Sequence, residues 1–563
     1  MTTVRNAMAR QIRLAMDAGE STYLRQPSMG WRSWYGLPIL LPVLHTMLAW
    51  LSRPSGILTG QDDARYLLLA QSLGQLQYRD LMWPDSPLHH MYPPGYPALV
   101  ALWSAFGGDR FEWLVLLGVA LSAGTMVMVF LSMRRVFSAG AVMASMLVLA
   151  VNPELIFWSS QIRPETALAF CLMLLVFGAT CLPGSSRREY LMLGAALAAP
   201  LLRTAAVGVP VALVLYHLSA RRFNAAARAA LATALVVGPL LYWTLTDTSM
   251  VVGSSYAADF SVAGGSNESM LGVLFQRVLA SVRYYATQGL PWILPAPTIK
   301  GTIVDNVLIV LILTVALMAG LAVTARRQPV AVYVLGMSVA PLIVWRFALG
   351  RFIVPQLVLL VPMLVVGLMA AGARFGRRTS IALVSLFVIA VAGAGFHRTA
   401  GTLRTAISCE RGGTYPDAKC VSMEEAAFFE ALRFIEDSVP KRDIILSAKS
   451  ETISYYSGRI TFPLAVIANS DSAVFWNTLE HHRIAHVLLS ALQFNERRRL
   501  APLLTKRCND LTLMAAFEPH TYLFRLKARR PDVPDADVSV RDRSPARNAC
   551  DALASYLTIP EPT

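Results

Sequence analysis

Apolar runs alternate with short basic clusters along the first two thirds of the chain, from about Tyr35 to Phe396. A helix needs roughly 20 apolar residues to cross the hydrocarbon core of a bilayer. Most of the runs approach that length, so the pattern predicts a mainly α, polytopic bundle of membrane helices. Single spans are predicted at 34–51, 111–133, 139–157, 165–183, 225–245, 303–323, 330–345, 352–373 and 380–396.

One further apolar stretch, 190–218, is longer than one span and shorter than two ordinary spans. Pro200 and Arg203 interrupt it near its middle. A single span would also place the basic pairs at 187–188 and 221–222 on opposite sides of the membrane. We therefore predict two short helices that turn at Arg203, which brings the bundle to about eleven spans.

The arginine clusters fall in every second loop, and the positive-inside rule makes those loops cytoplasmic. The N-terminal segment 1–33 is then cytoplasmic, and the membrane domain covers 34–396. The opposite side receives the first outer loop 52–110, the short loop 152–163, the loop 246–301 and everything after 396. The sequence thus predicts a multi-pass protein of the cell (inner or plasma) membrane with an extracytoplasmic C-terminal domain.

Residues 397–528 have the composition of a soluble domain. A helix at 423–438 precedes strands at 443–448, 460–464 and 486–490, which alternate with helices, and two last strands at 511–518 and 521–526 form a hairpin. This alternation predicts a small, mostly parallel α/β sheet. The remaining 529–563 are rich in Pro, Asp and Arg over their first half, which predicts a disordered tail.

Only 15% of the 563 residues are charged, against roughly 25% in soluble proteins. The net charge of +15 would suit nucleic acid binding, but the basic residues sit in pairs between apolar runs and form no stripe interleaved with aromatic residues. We therefore expect membrane lipid, and no nucleic acid, as a partner.

Four of the six cysteines fall in the region predicted to lie outside the cytoplasm, where disulfides are stable. Three pairings are open, and the preferred one joins Cys409 to Cys420 and Cys508 to Cys550. The other two, Cys171 and Cys181, lie in a predicted span and are expected to be buried apolar residues.

The first outer loop carries the most informative chemistry. Asp62 and Asp63 precede a helical stripe formed by Tyr66, Leu69 and Leu73. A structural reading makes the acidic pair an N-cap and a first-turn charge. A functional reading makes one carboxylate a general base, while its neighbour orients an acceptor or a metal.

This arrangement resembles the lipid-phosphate-sugar-dependent glycosyltransferases of the C fold class (GT-C), which include protein O-mannosyltransferases and aminoarabinose transferases. The acidic pair is followed by YPPGYP before the next span. Further similar segments are Asn152-Pro-Glu with Arg163-Pro-Glu, the run Gly350-Arg-Phe-Ile-Val-Pro, and SETISYYSGRITFPL in the outer domain. The large luminal insertions of the eukaryotic protein O-mannosyltransferases are not found in this sequence. The resemblance is therefore to the bacterial members of the class.

The resemblance implies that Asp62 is the catalytic base, with Asp63 in the place of a common Glu. It also implies transfer from a polyprenyl-phosphate sugar to an acceptor hydroxyl, with inversion at the sugar carbon. A phosphate is a weakly basic leaving group, so no strong general acid is required. Protein, lipid and glycan all remain open as the acceptor.

A departing phosphate needs positive charge. Arg351, Arg346 and Arg203 lie at or within apolar sequence, where a guanidinium is costly and its planar fork suits phosphate oxygens. The alternative is that these side chains reach lipid headgroups. Glu165 opens a span and is either a second acidic residue of the site or a helix-terminal charge.

Tyr92 and His90 are candidates for acceptor contact, and Asp80 and Asp85 read as loop residues, with an acceptor or metal role as the alternative. His89 and His90 are adjacent, and adjacent histidines seldom both ligate one metal, so loop or acceptor contacts are favoured for them. No cofactor is assigned, and a divalent metal is left open.

No P-loop, dinucleotide fingerprint, Ser-x-x-Lys or zincin motif occurs in the sequence. Two other classes compete with the transferase. One is a transporter or flippase of a lipid-linked or polymeric glycan, although no internal repeat is evident. The other is a non-catalytic scaffold with an outer recognition domain.

Overall fold

The computed structural model describes residues 36–57, 62–182, 184, 186–245, 270–295, 303–345, 348–464, 467, 471–492, 496–527 and 548–558. Helices form most of these segments, and one small sheet lies in the C-terminal region.

Helices occupy every apolar segment predicted from the sequence. In the membrane domain they are α1 (Gly36–Leu51), α2 (Asp63–Gly74), α3 (Gly95–Gly107), α4 (Phe111–Val136), α5 (Ala139–Ala150), α6 (Pro153–Ser159), α7 (Pro164–Cys181), α8 (Ser186–Leu202), α9 (Gly208–Ser219), α10 (Phe223–Leu245), α11 (Met270–Tyr284), α12 (Leu290–Ile293), α13 (Ile303–Arg327), α14 (Pro329–Val344), α15 (Leu357–Ala373) and α16 (Arg377–Ser408).

Within the described residues, six helices are long and apolar enough to cross a bilayer, and the bent pair α5–α6 could supply a seventh span. The six ranges are Phe111–Val136, Pro164–Cys181, Phe223–Thr244, Ile309–Arg327, Gly350–Ala373 and Arg377–Ser408. The other predicted spans are shorter helices. The chain is thus a multi-pass membrane protein, and the predicted fold class is confirmed.

The hairpin predicted at Arg203 is present. Arg203 has extended backbone angles between α8 and α9. At the far ends of the two helices, Arg188 Nη2 donates to the hydroxyl of Tyr216 over 2.9 Å. Glu189 Oε2 lies 3.2 Å from His217 Nε2. Because the start of α8 contacts the end of α9, the helices run antiparallel and both basic pairs lie at one end of the bundle.

Close packing in the bundle depends on small residues. Gly320 of α13 faces the backbone of Met363, and Gly367 of α15 faces the carbonyl oxygen of Ala316. A Cβ at either glycine would overlap those atoms. The two helices therefore approach backbone to backbone, as small-residue motifs allow in membranes.

The C-terminal region, named the outer domain for its predicted location, contains a five-stranded sheet. Its elements are α17 (Met423–Ser438), β1 (Ile444–Ser447), α18 (Ser450–Ser457), β2 (Thr461–Pro463), α19 (Ser472–His481), β3 (Ile484–Leu489), α20 (Ala501–Thr505), β4 (Leu511–Phe517), β5 (Thr521–Leu526) and α21 (Ala549–Leu557). The strand order is β2-β1-β3-β5-β4. The β2–β1 and β1–β3 pairs are parallel, whereas β3–β5 and β5–β4 are antiparallel. The prediction of a mostly parallel sheet is wrong, because the final hairpin joins through β5 and makes the sheet mixed.

A buried carboxylate ties the ends of two parallel strands together. Glu496 Oε1 accepts from the backbone N–H of Ala448, 2.9 Å away, just beyond β1. Its Oε2 accepts from the backbone N–H of Ser490, 2.7 Å away, just beyond β3. Burial raises the pKa of Glu496 to about 7, although these hydrogen bonds act in the opposite direction and lower it.

The first outer loop completes the core of the outer domain. Leu68, Met82 and Trp83 are buried in the same hydrophobic cluster as the sheet residue Phe462. The backbone N–H of Thr461 donates to the carbonyl of Met82 over 2.7 Å. The outer domain is therefore packed around the loop that carries the acidic pair.

Both preferred disulfides, Cys409–Cys420 and Cys508–Cys550, are present. The second one holds α21 against the domain, where Leu553 and Tyr556 are buried. The prediction that 529–563 is a disordered tail is therefore wrong for residues 549–557. Residues 528–547 lie outside the described residues.

Candidate active site

Asp62 precedes α2 but does not cap it, because its side chain makes no hydrogen bond to the first turn of the helix. Its Oδ2 instead lies 3.1 Å from Arg351 Nη1. Its Oδ1 accepts a hydrogen bond from the Tyr92 hydroxyl over 3.0 Å. The side chain keeps 29% of its surface exposed, so solvent or a substrate can reach the carboxylate.

Asp63 has a different environment. Arg163 donates to both of its carboxylate oxygens, with Nε 3.0 Å from Oδ1 and Nη2 2.6 Å from Oδ2. Each side chain is 3% exposed. Arg163 also stacks over Trp158, 4.8 Å from the ring centroid. This bidentate, buried pair joins the start of α2 to the start of α7.

A third carboxylate–guanidinium pair completes the cluster. Glu165, in the first turn of α7, has its Oε1 2.9 Å from Arg203 Nη1. The guanidinium carbons of Arg203 and Arg351 lie 4.5 and 5.2 Å from the ring centroid of Phe352. Both guanidinium groups thus contact the same aromatic ring by cation–π interaction. Of the three arginines predicted to bind phosphate, Arg351 therefore pairs with Asp62, and Arg203 pairs with Glu165 and shares the Phe352 ring.

The two neighbouring carboxylates differ in acidity. Burial raises the pKa of Asp62, but Arg351, Arg163, the Tyr92 hydroxyl and Arg65 together lower it below its ordinary value. Burial raises the pKa of Asp63, and Arg163 opposes that rise. Asp62 is thus an accessible, ionised carboxylate, while Asp63 serves as the buried partner of Arg163.

A second set of charged residues contacts Tyr92 through Arg65 and His89. Asp80 Oδ1 is 3.6 Å from Arg65 Nη2, and both Asp80 oxygens are 2.9 Å from His89 Nδ1. Arg65 Nη1 is 3.4 Å from Glu451 of the outer domain. Asp80 therefore lies in a loop, as predicted, and it is buried in a network that reaches the site.

The remaining predicted residues lie elsewhere or are not described. His90 Nδ1 lies 3.3 Å from the carbonyl oxygen of Trp243, and the two rings are in contact, 5.4 Å between centroids. Arg346 lies outside the described residues. Among the residues that the structure does describe, no group of three or more His, Cys, Asp or Glu side chains is placed to hold a metal ion.

Sequence reasoning did not assign Arg163, Arg65 or Phe352 a role in the site, and for His89 it offered a loop position or an acceptor contact. Arg163 could have been found, because a guanidinium two positions before Glu165 at the start of a span is itself costly unless paired. The roles of Arg65 and His89 have no local signal, since they depend on how the loop folds back on α2.

The fold is similar to those of known membrane transferases. The archaeal oligosaccharyltransferase AglB from Archaeoglobus fulgidus, in complex with an inhibitory peptide and a dolichol-phosphate, matches with a TM-score of 0.53 and 10% identity, covering 90% of this chain and 75% of that one. ArnT from Cupriavidus metallidurans bound to undecaprenyl phosphate matches with a TM-score of 0.52 and 12% identity, covering 90% of this chain and 100% of that one. The apo form of the Archaeoglobus fulgidus oligosaccharyltransferase gives a TM-score of 0.54 at 11% identity, covering 90% and 76%.

At the level of sequence there is no comparable match. No family model matches the chain, and no curated protein does either. The resemblance to transferases of the C fold class is therefore confirmed for the fold, over nine tenths of the chain.

Proposed function

We propose that this protein is a membrane glycosyltransferase that moves a sugar from a polyprenyl-phosphate donor to an acceptor hydroxyl outside the cytoplasm. The observation that carries the proposal is an accessible carboxylate, Asp62, 3.1 Å from Arg351, with Arg351 and Arg203 both in contact with the Phe352 ring. A base and an anion-binding pair next to one another are what displacement of a phosphate by a hydroxyl requires.

Asp62 acts as the base. Its ionised Oδ atom accepts the proton of the acceptor hydroxyl, and the acceptor oxygen attacks the anomeric carbon of the sugar. Asp63 is not a second base in this scheme, because Arg163 occupies both of its oxygens. Its contribution is to fix the start of α2, and hence the position of Asp62.

The bond from the anomeric carbon to the phosphate oxygen breaks as the new bond forms, and its electron pair leaves with the phosphate. Arg351 and Arg203 stabilise that negative charge, and the planar guanidinium suits phosphate oxygens. Attack from the side opposite the leaving group inverts the sugar carbon. Both arginines lie at helix ends rather than in the middle of the bundle, which suits a headgroup at the membrane surface.

The similar folds support this substrate class. The AglB structure contains a dolichol-phosphate and the ArnT structure an undecaprenyl phosphate. A donor on a polyprenyl carrier also fits a site predicted to lie outside the cytoplasm, where nucleotide sugars are absent. The acceptor is a hydroxyl of a protein, lipid or glycan, and the site itself requires only that the hydroxyl reach Asp62.

Comparing cells with and without the gene tests the proposal. Mass spectrometry of polyprenyl-phosphate sugars and surface glycans should show one lipid-linked sugar accumulating, with a glycan that lacks that sugar. Expression of the wild-type protein should restore the glycan, whereas Asp62→Asn should not.

The matched control is Asp85→Asn, which changes an exposed carboxylate of the same loop at a position with φ +63° that asparagine tolerates. It should restore the glycan fully. Full restoration by Asp62→Asn at wild-type protein levels would rule out Asp62 as the base. Deletion of the gene without any change in lipid-linked sugars would contradict the proposed transferase activity.

A further inference from the structure

Contacts to its backbone and to its ring hold Tyr92 in place. Its backbone N–H donates to His89 Nε2 over 2.7 Å, and its carbonyl accepts from the Tyr78 hydroxyl over 2.7 Å. Its ring lies 5.0 Å from that of Tyr66. The hydroxyl so positioned donates to Asp62. The direction of that hydroxyl therefore depends on the groups that hold the Tyr92 backbone.

His89 is 1% exposed, and both of its ring nitrogens are engaged. A backbone N–H can only donate, so the Nε2 that faces Tyr92 must carry a lone pair. The proton of the neutral ring then sits on Nδ1, which lies 2.9 Å from each oxygen of Asp80. The surroundings thus determine one tautomer of a neutral imidazole.

The same network continues into the outer domain. Asp80 contacts Arg65, and Arg65 contacts Glu451 on α18. Arg65 also lies under Tyr92, with its guanidinium carbon 5.5 Å from the ring centroid. A continuous series of contacts therefore links the outer domain, through His89 and Tyr92, to the carboxylate of Asp62.

We propose that His89, as the neutral Nδ1–H tautomer, is a positioning residue that holds the Tyr92 hydroxyl on Asp62. This inference rests on the proposed function, because it assigns His89 a part in the reaction assigned to Asp62. His89 touches neither substrate in this scheme and acts only through Tyr92.

A pH dependence follows from the tautomer. Protonation would place a second N–H on Nε2, directly against the N–H of Tyr92, and would break the contact. Burial lowers the pKa of His89 below its ordinary value, Asp80 raises it, and Arg65 and His90 lower it. The neutral form is therefore kept at neutral pH and lost as the pH falls through this lowered pKa. Transfer should fall over that range and remain constant above it.

Two substitutions separate positioning from bulk structure. His89→Phe keeps a planar ring but cannot accept from Tyr92, whereas His89→Gln supplies an amide oxygen that can accept and does not titrate. In sugar transfer by the purified full-length protein, His89→Phe should lower kcat by up to about 100-fold with little change in donor KM, since small displacements of a reacting group have effects of that size. His89→Gln should recover most of the lost kcat and should remove the fall in transfer at low pH that His89 causes.

A double variant tests the route of action. If His89 works through the Tyr92 hydroxyl, His89→Phe should cost little in a Tyr92→Phe background. Equal losses in both backgrounds would overturn the proposal, and so would a wild-type kcat and pH profile in both single variants. Losses in His89→Phe and His89→Gln that merely follow a fall in Tm would assign His89 a structural role and also overturn it.

One readout does not depend on catalysis. The chain has nine histidines, and ¹⁵N spectra of histidine-labelled wild type and His89→Gln identify the His89 signals by difference. They should report a neutral ring protonated on Nδ1 at pH 7. A charged ring or an Nε2–H tautomer would refute the inference even if the wild type transferred a sugar. Absence of any transfer by the wild type would instead count against the proposed function.

Discussion

Arg351 Nη1 lies 3.1 Å from Asp62 Oδ2, so the group proposed to receive the donor phosphate is paired, in this structure, with the proposed base. The two residues come from helix ends almost 300 positions apart in the chain. Their contact places the carboxylate and the guanidinium on the same side of the bundle, as a base and a phosphate-binding group of one site must be.

Removal of the guanidinium should affect both substrate binding and the base. For Arg351→Gln we expect the donor KM to rise about 10- to 100-fold, because a hydrogen bond to a charged group contributes about 1.5–3 kcal/mol. Steady-state kinetics with a polyprenyl-phosphate sugar measures this. Arg442→Gln, which changes a side chain that is 91% exposed, serves as the control and should leave KM unchanged.

The same variant should move the pH profile. Arg351 is the strongest of the groups that lower the pKa of Asp62, and burial raises it, so the pKa should increase when the guanidinium is lost. Transfer needs the ionised carboxylate and is lost as pH falls through that pKa. The acid limb of kcat in Arg351→Gln should therefore shift to higher pH. An unshifted limb would mean that another group limits the reaction at low pH.

Asp63→Asn should reduce stability more than Asp62→Asn. Asp63 and Arg163 are both 3% exposed, and removing one partner of a buried pair costs about 3–5 kcal/mol. Thermal unfolding in detergent should show a clearly lower Tm for Asp63→Asn, while Asp62→Asn remains close to wild type. If Asp63→Asn abolished transfer at an unchanged Tm, Asp63 would have a direct part in the chemistry.

The Cys508–Cys550 disulfide should stabilise the outer domain. It closes a separation of 42 residues, for which chain entropy gives about 4 kcal/mol. Replacing both cysteines with serine should lower the Tm of the full-length protein more than the equivalent change at Cys409 and Cys420, whose separation is 11 residues. A larger fall for the shorter loop would show that contacts, rather than loop closure, dominate.

Sidedness can be measured directly. Asp85 is exposed in the first outer loop, and Arg221 is exposed at the opposite end of the bundle, beyond α9. A membrane-impermeant thiol reagent applied to intact cells or spheroplasts should label Asp85→Cys and leave Arg221→Cys unlabelled until the membrane is opened. The reverse pattern would invert the proposed topology and place Asp62 in the cytoplasm.

The membrane helices could be predicted because each is encoded locally, by a run of apolar residues between charges. The prediction of the α8–α9 hairpin also required the positive charge of the loops at 187–188 and 221–222. The contact of Arg188 with Tyr216 confirms the hairpin. The preferred disulfides also agree with the structure.

Other features depend on contacts between distant residues. Arg163 is 100 positions from Asp63, and no local pattern joins them. The mixed sheet likewise follows from β3 pairing with β5 rather than from the order of elements. The helix α21 was readable, since Ala549, Ala552, Leu553 and Tyr556 follow helical spacing, but the polar composition before it obscured the signal.

Because Trp83 and Met82 are buried in the hydrophobic cluster that includes the sheet residues of the outer domain, part of that domain's core comes from the first outer loop. A fragment beginning near residue 397 would expose an apolar depression where the two side chains belong, and it should aggregate when expressed alone. Exchange of C-terminal domains among proteins of this architecture would then have to carry the segment 52–110 along with the C-terminal part. The proposed base, Asp62, and the outer domain would therefore be exchanged together.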